Sequence, residues 1–495
     1  MKKRLLLTFV LLMFAVSANA QLAARRAFIT PAEPKFTDTE RQSELAGRRA
    51  AVAAKMADNS MLILFSAQPK LYTNDVDYIY RQENNLVYLT GLKQDGAFFV
   101  LSKNGGVATE FLFMPLRDPV NETWNGKMYS DEDVTRISGI KTILYLPERT
   151  AFRNAIKNGQ TFVRNGDDSV QIPAPKAMYM LLPNGMNDTN GRREYRLEEQ
   201  AQEIYFSGKV ENARPIFNEL RQIKSAYELK MLQHAIDISI EAHMRSQAMA
   251  HKAKFEYEVQ AEVEYTFRRR NADFWGYPSI VGCGPNATTL HYQIPADGVR
   301  MGDLLLMDVG AEYEHYTADI TRTFPVNGKF TKEQREIYQI VFDAQEAVAN
   351  ATKPGVQFGA LDQIARNVVE DGLLRLGLIT EKGSGQSRMW FMHGLGHWLG
   401  MNVHDVSKPG APLAAGMVFT NEPGIYIRLD ALENMPKDAE TQAMVAKIKP
   451  AFDKYKGIGV RIEDDMLVTA TGVEWMTAKL PRKISDIEAF IAAAR

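Results

Sequence analysis

Two aspartates between residues 301 and 325 are the first residues of this chain whose type and spacing suggest chemistry. The apolar run from Leu304 to Leu306 predicts a buried strand, which leads directly into Asp308. Residues 310–315 predict a short turn, after which a second strand would carry Asp319. Two strands joined by a tight turn can place two carboxylates side by side, which is costly unless a cation lies between them. The alternative is a solvated hairpin with two surface aspartates.

Three polar clusters follow later in the chain and could supply further ligands. They are FMHGLGHWLG with His393 and His397, which His404 follows closely, TNEPG with Glu422, and GVRIEDD with Glu463. Each cluster is predicted at the end of an apolar strand, beside glycine or proline residues that permit close backbone approach. Two glycines separate His393 from His397, so this pair does not match the helical two-histidine zinc motif.

A donor set of two aspartates, one histidine and two glutamates is rich in oxygen. Such a set favours hard or borderline divalent cations, and Mn²⁺ fits it more naturally than a thiolate-type Zn²⁺ site does. Four carboxylates also need more than one cation for charge compensation. The residues therefore predict two divalent metal ions, most naturally Mn²⁺, with Zn²⁺ or Co²⁺ as alternatives.

The motifs in this order resemble those of the pita-bread metallopeptidases, specifically the Xaa-Pro aminopeptidase (aminopeptidase P) and prolidase family. The family's ligand order of Asp, Asp, His, Glu, Glu matches Asp308 in LMDVG, Asp319 in ADITRTFP, His397 in HGLGHWLG, Glu422 in NEPG and Glu463 in RIEDD. The segment YRQENNLVYLTG and the segment around Trp124 are similar to the N-terminal domain of these enzymes. The resemblance spans nearly all of the chain after its first residues.

The resemblance implies a role for each ligand. Asp308 would chelate one metal ion, Asp319 and Glu463 would bridge both ions, and His397 and Glu422 would complete the other. A hydroxide held between the two ions would attack the scissile carbonyl, since two Lewis acids lower the pKa of the water between them. Glu422 would take the proton of that water as general base.

Four further polar residues are candidates for roles around the metals. His291 or His404 could hydrogen-bond the developing oxyanion, and Arg461 would orient carboxylates or substrate. His393 would either support a ligand or face the substrate. For each histidine taken alone, the alternative is a packed ring that is hydrogen-bonded within the fold.

The function implied by the resemblance is removal of the N-terminal residue from peptides with proline at the second position. A dipeptidase that cleaves Xaa-Pro dipeptides is the alternative within the same family, because HGLGH and the N-terminal domain fit both. The motifs TRTFPVNGKF and MHGLGHWLG look closer to the aminopeptidase. A non-catalytic peptide-binding module on the same fold is the alternative of another class. The family also implies a homo-oligomer, either a dimer or a tetramer.

Composition and pattern predict a mixed α/β (α+β) protein of ordinary globular type. The 495 residues carry a formal net charge of −1, which indicates neither nucleic acid nor a membrane surface as a partner. A lead-in over residues 21–40 precedes an α/β domain over residues 41–221, which resembles the creatinase and aminopeptidase P type. Residues 222–495 form the predicted pita-bread catalytic domain.

The first twenty residues have the three-part pattern of a secretory signal peptide. Lys2, Lys3 and Arg4 precede an apolar run to Val16, and a small-residue cleavage site ends at Ala20. A membrane anchor is the alternative, but the apolar run is too short to span a bilayer comfortably. We therefore expect cleavage near Ala20 and export to the periplasm or the medium, without a stable membrane anchor.

Three further sequence features lead to structural predictions. Cys283 is the sole cysteine, so no internal disulfide can form, and a small packed residue is the expected role rather than a nucleophile. Residues 183–191 predict a loop. The stretch 429–456, rich in charged residues and alanine, predicts an inserted surface helix at the rim of the pocket that narrows substrate access.

The helices of the second domain have clear local signals. Residues 226–254 predict a long amphipathic helix, and residues 257–269 and 361–376 predict two more. Thr331 and Gln334 form a capping box, so a helix should begin there and bury apolar side chains at helical spacing. Those side chains are Ile337, Ile340, Val341 and Val348.

Overall fold

The computed structural model describes residues 28–182, 201, 205–206, 208–433 and 435–494. The chain divides into an N-terminal unit, residues 35–221, and a C-terminal unit, residues 222–495, to which residues 28–34 also belong. The predicted leader over residues 1–20 and the predicted loop over residues 183–191 lie outside the described residues. Within the described ranges, no helix is both long and apolar enough to cross a membrane.

The N-terminal unit alternates helices and strands. In chain order they are α1 (Asp38–Lys55), β1 (Ser60–Phe65), β2 (Leu71–Thr73), β3 (Val76–Asp77), α2 (Asn84–Thr90), β4 (Phe98–Asn104), β5 (Val107–Met114), α3 (Pro119–Asn125), α4 (Asp131–Ser138), β6 (Ile143–Tyr145), α5 (Arg149–Lys157), β7 (Phe162–Arg164), β8 (Asp167–Ile172), β9 (Ala177–Met180), β10 (Val210–Asn212) and α6 (Arg214–Gln222).

A six-stranded mixed sheet forms the centre of this unit. Its strand order is β10-β9-β1-β4-β5-β6, with β1 antiparallel to β4 and parallel to β9. Alternate residues of β1, including Met61 and Ile63, join Phe98 and Phe113 in the core on one face, as the two-residue period of a strand requires. The rings of Phe98 and Phe113 stack with their centroids 4.2 Å apart.

The C-terminal unit combines long helices with several small sheets. Its elements are α7 (Ala226–Met249), α8 (Glu256–Arg269), β11 (Phe274–Trp275), β12 (Ile280–Cys283), β13 (Leu304–Asp308), β14 (Ala311–Tyr313), β15 (Tyr316–Thr317), β16 (Thr321–Pro325), α9 (Lys332–Ala351), α10 (Phe358–Leu376), β17 (Val418–Asn421), β18 (Gly424–Tyr426), α11 (Ala439–Tyr455), β19 (Gly459–Arg461), β20 (Asp464–Val468), β21 (Val473–Trp475) and α12 (Ile484–Ala494).

Local signals place the long helices where they were expected. The capping box of Thr331 and Gln334 is present at the start of α9, and the four apolar side chains predicted to face inward from that helix are all buried. A second capping box, of Ser225 and Glu228, begins α7. In both cases the side chains satisfy backbone N–H groups that the first turn of a helix leaves free.

The small sheets bring together strands that are far apart in sequence. One has the order β12-β13-β16 and another β17-β20-β21, while β18 pairs with β19. Strand β13 is antiparallel to β16, and its last residue, Asp308, lies opposite Thr321. An isolated bridge joins Thr321 on the edge strand β16 to Glu463, so the sheet that contains Asp308 continues to the segment between β19 and β20.

The segment between Asp308 and Thr321 differs from its prediction. Residues 310–315 are not a simple turn, because they include β14, and Asp319 lies between β15 and β16 rather than in a strand. The tight turn is formed by Glu314 and His315, both with positive φ, as in a type I′ hairpin. Strand β14 pairs with β11 on one side and with β15 on the other, in a sheet that does not contain β12, so the hairpin bends from one sheet into another and Asp319 lies at the bend.

The N-terminal lead-in is anchored where the structure describes it. The backbone N–H and the hydroxyl of Thr30 both donate to Glu241 Oε2, each over 2.7 Å, and Arg270 pairs with the same carboxylate. Helix α1 then begins at Asp38, within the range predicted as lead-in. Residues near Thr30 are therefore part of the packed C-terminal unit rather than a loose extension.

Candidate metal centre

A cavity of about 480 Å³ in the C-terminal unit collects the polar residues predicted from sequence. Its lining includes all nine of them: Asp308, Asp319, His397, Glu422, Glu463, His291, His393, His404 and Arg461. They come from five separate stretches of the chain. Apolar side chains, among them Ile280, Leu290 and Val403, complete the wall.

Three of these residues form the centre of the site. One ligand atom each from Asp319, His397 and Glu463 lies within 4.8 Å of the others. His397 Nε2 is 3.2 Å from Asp319 Oδ2 and 3.5 Å from Glu422 Oε1. A carboxylate–imidazole cluster of this size is the geometry expected of side chains that can hold a divalent cation.

Short irregular segments at strand ends position the acidic ligands. Glu422 follows the last residue of β17, and Glu463 lies between β19 and β20. The backbone N–H of Glu463 donates to the Thr321 carbonyl over 3.1 Å, and the Thr321 hydroxyl donates to Glu463 Oε2 over 2.6 Å. The segment that carries Glu463 is therefore held against the strand that follows Asp319.

Gly396 allows the histidine-bearing segment to approach β17. A Cβ at this position would lie 2.0 Å from the Thr420 carbonyl oxygen, so no larger residue fits. With the glycine in place, the His397 N–H donates to Thr420 Oγ1 over 3.0 Å, and Thr420 Oγ1 donates to Glu422 Oε1 over 3.1 Å. As predicted, this segment is not helical.

Tyr277 is a site residue that the sequence reasoning missed. Its hydroxyl oxygen lies 2.6 Å from Asp308 Oδ1 and 2.6 Å from Asp319 Oδ1. One hydroxyl proton cannot fully serve two carboxylates, so a proton or a cation must compensate the second one. The available signal was its position just before β12, the strand that pairs with β13.

Arg461 holds the first aspartate of the set. Its Nη2 donates to Asp308 Oδ2, its Nε donates to Thr321 Oγ1 over 3.1 Å, and its Nη1 donates to the Tyr426 hydroxyl over 2.8 Å. Because the Arg461 side chain is buried and each of its three nitrogens donates a hydrogen bond, it keeps Asp308 in one orientation. This contact agrees with the predicted carboxylate-orienting role of Arg461.

The other histidines differ in their surroundings. His393 Nδ1 donates to the Gly394 carbonyl and its Nε2 accepts from the Tyr426 hydroxyl, each over 2.7 Å, so its ring is locked within the fold. Burial and the charge of Arg461 lower its pKa to about 4. His404 lies with its ring 4.1 Å from that of His397, and burial lowers its pKa to about 4 as well. His291 lines the cavity from an exposed loop.

Charge balance favours divalent cations in this cavity. Burial raises the pKa of Asp319 and Glu463, and it raises that of Glu422 to about 7. Burial alone would lower the His397 pKa, but its hydrogen bond to Asp319 and the negative charges of Asp319 and Glu422 together outweigh that effect and raise it to about 9. Arg461 adds one fixed positive charge for four carboxylates, so the donor set fits metal ions, which would replace protons as compensation.

Comparison with known proteins identifies the family. The model of metallopeptidase family M24 matches residues 230–470, and that of the aminopeptidase P N-terminal domain matches residues 45–163. A Xaa-Pro aminopeptidase from Haemophilus influenzae is 35% identical over 460 residues, which are 90% of this chain and 96% of that protein. The chain belongs to metallopeptidase family M24. It is therefore a hydrolase that acts on peptide bonds.

Further relatives agree with the fold of this M24 enzyme. The Xaa-Pro aminopeptidase of Escherichia coli is 34% identical over 92% of this chain and 98% of that protein. The structure of aminopeptidase P from E. coli with the inhibitor Pro-Leu matches with a TM-score of 0.78 and 31% identity, over 94% of this chain and all of that one. The predicted architecture, an aminopeptidase P type N-terminal domain before a pita-bread domain, is confirmed.

The stretch 429–456 of this M24 enzyme does not have its predicted location. Its helix α11 buries Ile448, Phe452 and Tyr455, and the Phe452 ring lies 6.2 Å from that of Trp390. None of its described residues lines the cavity. The rim position predicted from sequence is therefore wrong, because the buried side chains of the helix pack against Trp390 and not at the cavity.

Cys283 is a packed residue, as predicted. It lies in β12, is buried, and forms no disulfide. Burial raises the pKa of its thiol to about 11, so the thiolate is scarce at neutral pH. It does not belong to the cavity lining.

Proposed function

We propose that this M24 enzyme is a metal-dependent aminopeptidase that removes the N-terminal residue of peptides with proline at the second position. The observation that carries the proposal is the convergence of five ligand-type residues, in the family's order, on one cavity. Proteins named Xaa-Pro aminopeptidase, 34–35% identical over nearly the full chain, support the substrate class.

The cavity residues would divide the metal-binding work as the motif order implies. Two divalent cations would be held by the ligands Asp308, Asp319, His397, Glu422 and Glu463. The oxygen-rich donor set favours Mn²⁺, with Zn²⁺ or Co²⁺ as alternatives. When bound, the cations would act as Lewis acids that polarise the scissile carbonyl and acidify the attacking water.

Glu422 is the proposed general base. Its carboxylate lies in a buried part of the cavity, where it is hydrogen-bonded by Thr420. A carboxylate taken out of water binds a proton more readily, so it can accept one from the attacking water and return it to the leaving amine.

The cavity wall offers groups for the substrate itself. His291 and His404 are the proposed donors to the oxyanion that develops on the scissile carbonyl. Arg461 would act as a positioning residue through Asp308. His393 has both ring nitrogens engaged with Gly394 and Tyr426, so we propose that it supports the cavity wall.

Hydrolysis of two short peptides tests the proposed function. Metal-stripped protein would be assayed on Arg-Pro-Pro and on the dipeptide Arg-Pro, with and without added Mn²⁺. We expect Mn²⁺-dependent release of arginine from the tripeptide and little cleavage of the dipeptide. Cleavage of the dipeptide alone would assign a dipeptidase instead. Protein that binds two metal ions but cleaves neither peptide would contradict the proposal and favour a peptide-binding module.

We also propose that the chain is exported after cleavage near Ala20 and assembles into a dimer or tetramer. The leader pattern over residues 1–20 supports export. The family resemblance supports the oligomer, whose size is measurable by light scattering on purified protein.

A further inference from the structure

A buried hydrogen-bonded network lies beside the ligand-bearing segments, and none of its members lines the cavity. It consists of Arg322 on β16, Asp464 on β20 and Gln345 on α9, none of which is more than 1% exposed. Arg322 Nη2 donates to Asp464 Oδ1 over 2.5 Å, and Gln345 Nε2 donates to Asp464 Oδ2 over 2.8 Å. The Asp464 carboxylate thus connects the guanidinium of Arg322 on β16 to the side-chain amide of Gln345 on α9.

The amide of Gln345 also reaches the backbone of two proposed ligands. Its Nε2 donates to the Asn421 carbonyl over 3.0 Å and to the Ile462 carbonyl over 3.1 Å. These residues directly precede Glu422 and Glu463. Because a peptide group is planar, holding the carbonyl of one residue also fixes the N–H and Cα of the next. Gln345 therefore sets the backbone positions from which both glutamate side chains start.

The guanidinium of Arg322 likewise holds backbone carbonyls, those of Thr321 and of Glu463. Its Nη1 donates to the Thr321 carbonyl over 2.9 Å and to the Glu463 carbonyl over 2.7 Å. Its remaining N–H groups donate to Asp464 and to the Pro481 and Leu480 carbonyls. All five N–H donors of the buried Arg322 guanidinium have an acceptor, so its burial leaves no hydrogen-bonding group unpaired.

Charge within the network is balanced. The positive charge of Arg322 pairs with the negative charge of Asp464, and Gln345 is neutral. The network therefore adds little net field to the carboxylates in the cavity, and its effect on them must come through geometry. Geometry matters at a metal centre, since supporting partners of metal ligands typically change affinity about 10–100-fold.

We infer that Gln345 and Asp464 are positioning residues for the metal centre, which act on Glu422 and Glu463 through the preceding peptide planes. This inference rests on the proposed metal-dependent function. The side chains themselves touch neither metal nor substrate. They determine how well the two glutamates are arranged before a cation binds.

The test compares two glutamine substitutions on the same helix. Gln345→Met keeps the length of the side chain but removes the amide. The control, Gln334→Met, removes a buried amide that donates to the Gly302 carbonyl over 2.8 Å and caps the first turn of α9. Both variants should unfold at lower temperature than the original chain. Calorimetric titration of metal-stripped protein with Mn²⁺ should show about 10–100-fold weaker binding for Gln345→Met and less than about 3-fold for Gln334→Met.

Each result supports or overturns the inference. Equal Mn²⁺ affinity for folded Gln345→Met and the original chain would overturn it. If Gln345→Met does not fold, Thr477→Val replaces it, since this change removes only the hydroxyl that donates to Asp464 Oδ1. We then expect about 3-fold weaker Mn²⁺ binding, within the range for a single lost hydrogen bond. No change there would overturn the inference.

The same titrations separate this inference from the proposed function. An original chain that binds Mn²⁺ but cleaves neither Arg-Pro-Pro nor Arg-Pro would contradict the proposed activity and leave the positioning role intact. An original chain that does not bind Mn²⁺ would overturn both. Weaker Mn²⁺ binding in Gln345→Met but not in Gln334→Met, with normal peptide specificity once Mn²⁺ saturates the protein, supports both the positioning role and the proposed activity.

Discussion

Burial changes the acid–base chemistry of Glu422 in the metal-free protein. In water a glutamate is a weak base at neutral pH, but burial raises the pKa of Glu422 to about 7 in the metal-free protein. The hydroxyl of Thr420 and the imidazole of His397 lie beside it and limit its orientations. A fixed orientation toward the attacking water is needed for efficient proton transfer.

Replacement of this carboxylate tests its role as base. Glu422→Gln keeps the size of the side chain and one oxygen, but the amide cannot accept the proton. We expect kcat on Arg-Pro-Pro to fall about 10²–10⁴-fold. Steady-state kinetics with excess Mn²⁺ and a measured metal content would check this. The matched control, Glu440→Gln, changes an exposed residue at the start of α11 and should leave kcat unchanged. A fully metal-loaded Glu422→Gln that loses less than about tenfold would contradict the assignment.

Stability of the metal-free protein should fall as pH rises. The folded-state pKa of Glu422 is raised from 4.5 to about 7, and that of His397 from 6.5 to about 9. A raised pKa means that the folded protein holds its proton more tightly, so the stability is present at low pH and lost as each group deprotonates. Glu422 contributes this loss between about pH 4.5 and 7, and His397 between about pH 6.5 and 9.

Thermal unfolding at several pH values would check this expectation. Metal-stripped protein should have a Tm several degrees lower at pH 9 than at pH 6, since one kcal/mol shifts Tm by roughly 2–4 °C in a domain of this size. Added Mn²⁺ should stabilise more at pH 8 than at pH 6, because metal ligands must be deprotonated. His397→Asn should flatten the loss above pH 7. A metal-free protein that is more stable at pH 9 than at pH 6 would count against this assignment.

At the scale of elements, one buried glutamate holds the loop that carries His291. Glu256, the first residue of α8, accepts hydrogen bonds from the Cys283 N–H over 2.6 Å and from the Tyr292 hydroxyl over 2.9 Å. It also accepts from the Asn286 side chain and from the N–H of Asp297. The stretch from Cys283 to Asp297, which is most of the loop between β12 and β13, is thus tied to one carboxylate. These hydrogen bonds to Glu256 hold the loop that carries His291 in place, although the loop is exposed to solvent.

Glu256→Gln should loosen this loop. The amide puts a donor where the carboxylate accepted hydrogen bonds, which costs about 1–3 kcal/mol for a buried unsatisfied group. We expect kcat/KM on Arg-Pro-Pro to fall roughly 5–50-fold, because His291 is less well positioned, while the Mn²⁺ content stays the same. The control is Glu258→Gln, two residues further along α8, whose carboxylate accepts from the Lys254 N–H outside the loop. Unchanged kcat/KM in Glu256→Gln would argue against a role for the loop.

At the scale of the whole molecule, the proposed leader over residues 1–20 is separate in sequence from the anchored segment that follows it. Residues near Thr30 pack on the C-terminal unit, so a chain cleaved near Ala20 keeps that contact. Cleavage and folding are therefore compatible.

Expression of the full chain in an export-competent bacterium tests the leader. We expect the purified protein to begin at Gln21 and to be recovered from the periplasm or the medium, as measured by intact mass and fractionation. A control chain that starts with Met followed by Gln21 should stay in the cytoplasm and keep the same Tm. Purified protein that retains residues 1–20 would contradict a cleaved leader.

Local interactions explain what could be predicted from the sequence by itself. The helix that begins at Thr331 was predictable because its capping box and apolar spacing involve neighbours within a few turns. The five ligand-type residues were found because each is embedded in its own short motif. Their assembly in one cavity follows from the family's fold, which brings those motifs together.

Only the tertiary structure decided how those motifs are held. Asp319 lies at a bend between two sheets, Tyr277 reaches both aspartates, and α11 packs into the core instead of the rim. Gln345 contacts backbone that lies 76 and 117 positions further along the chain. Such contacts have no local signal, because they depend on which strands pair and which helix covers them. Long-range packing, rather than residue type, therefore determined the geometry and the acid–base properties of the site.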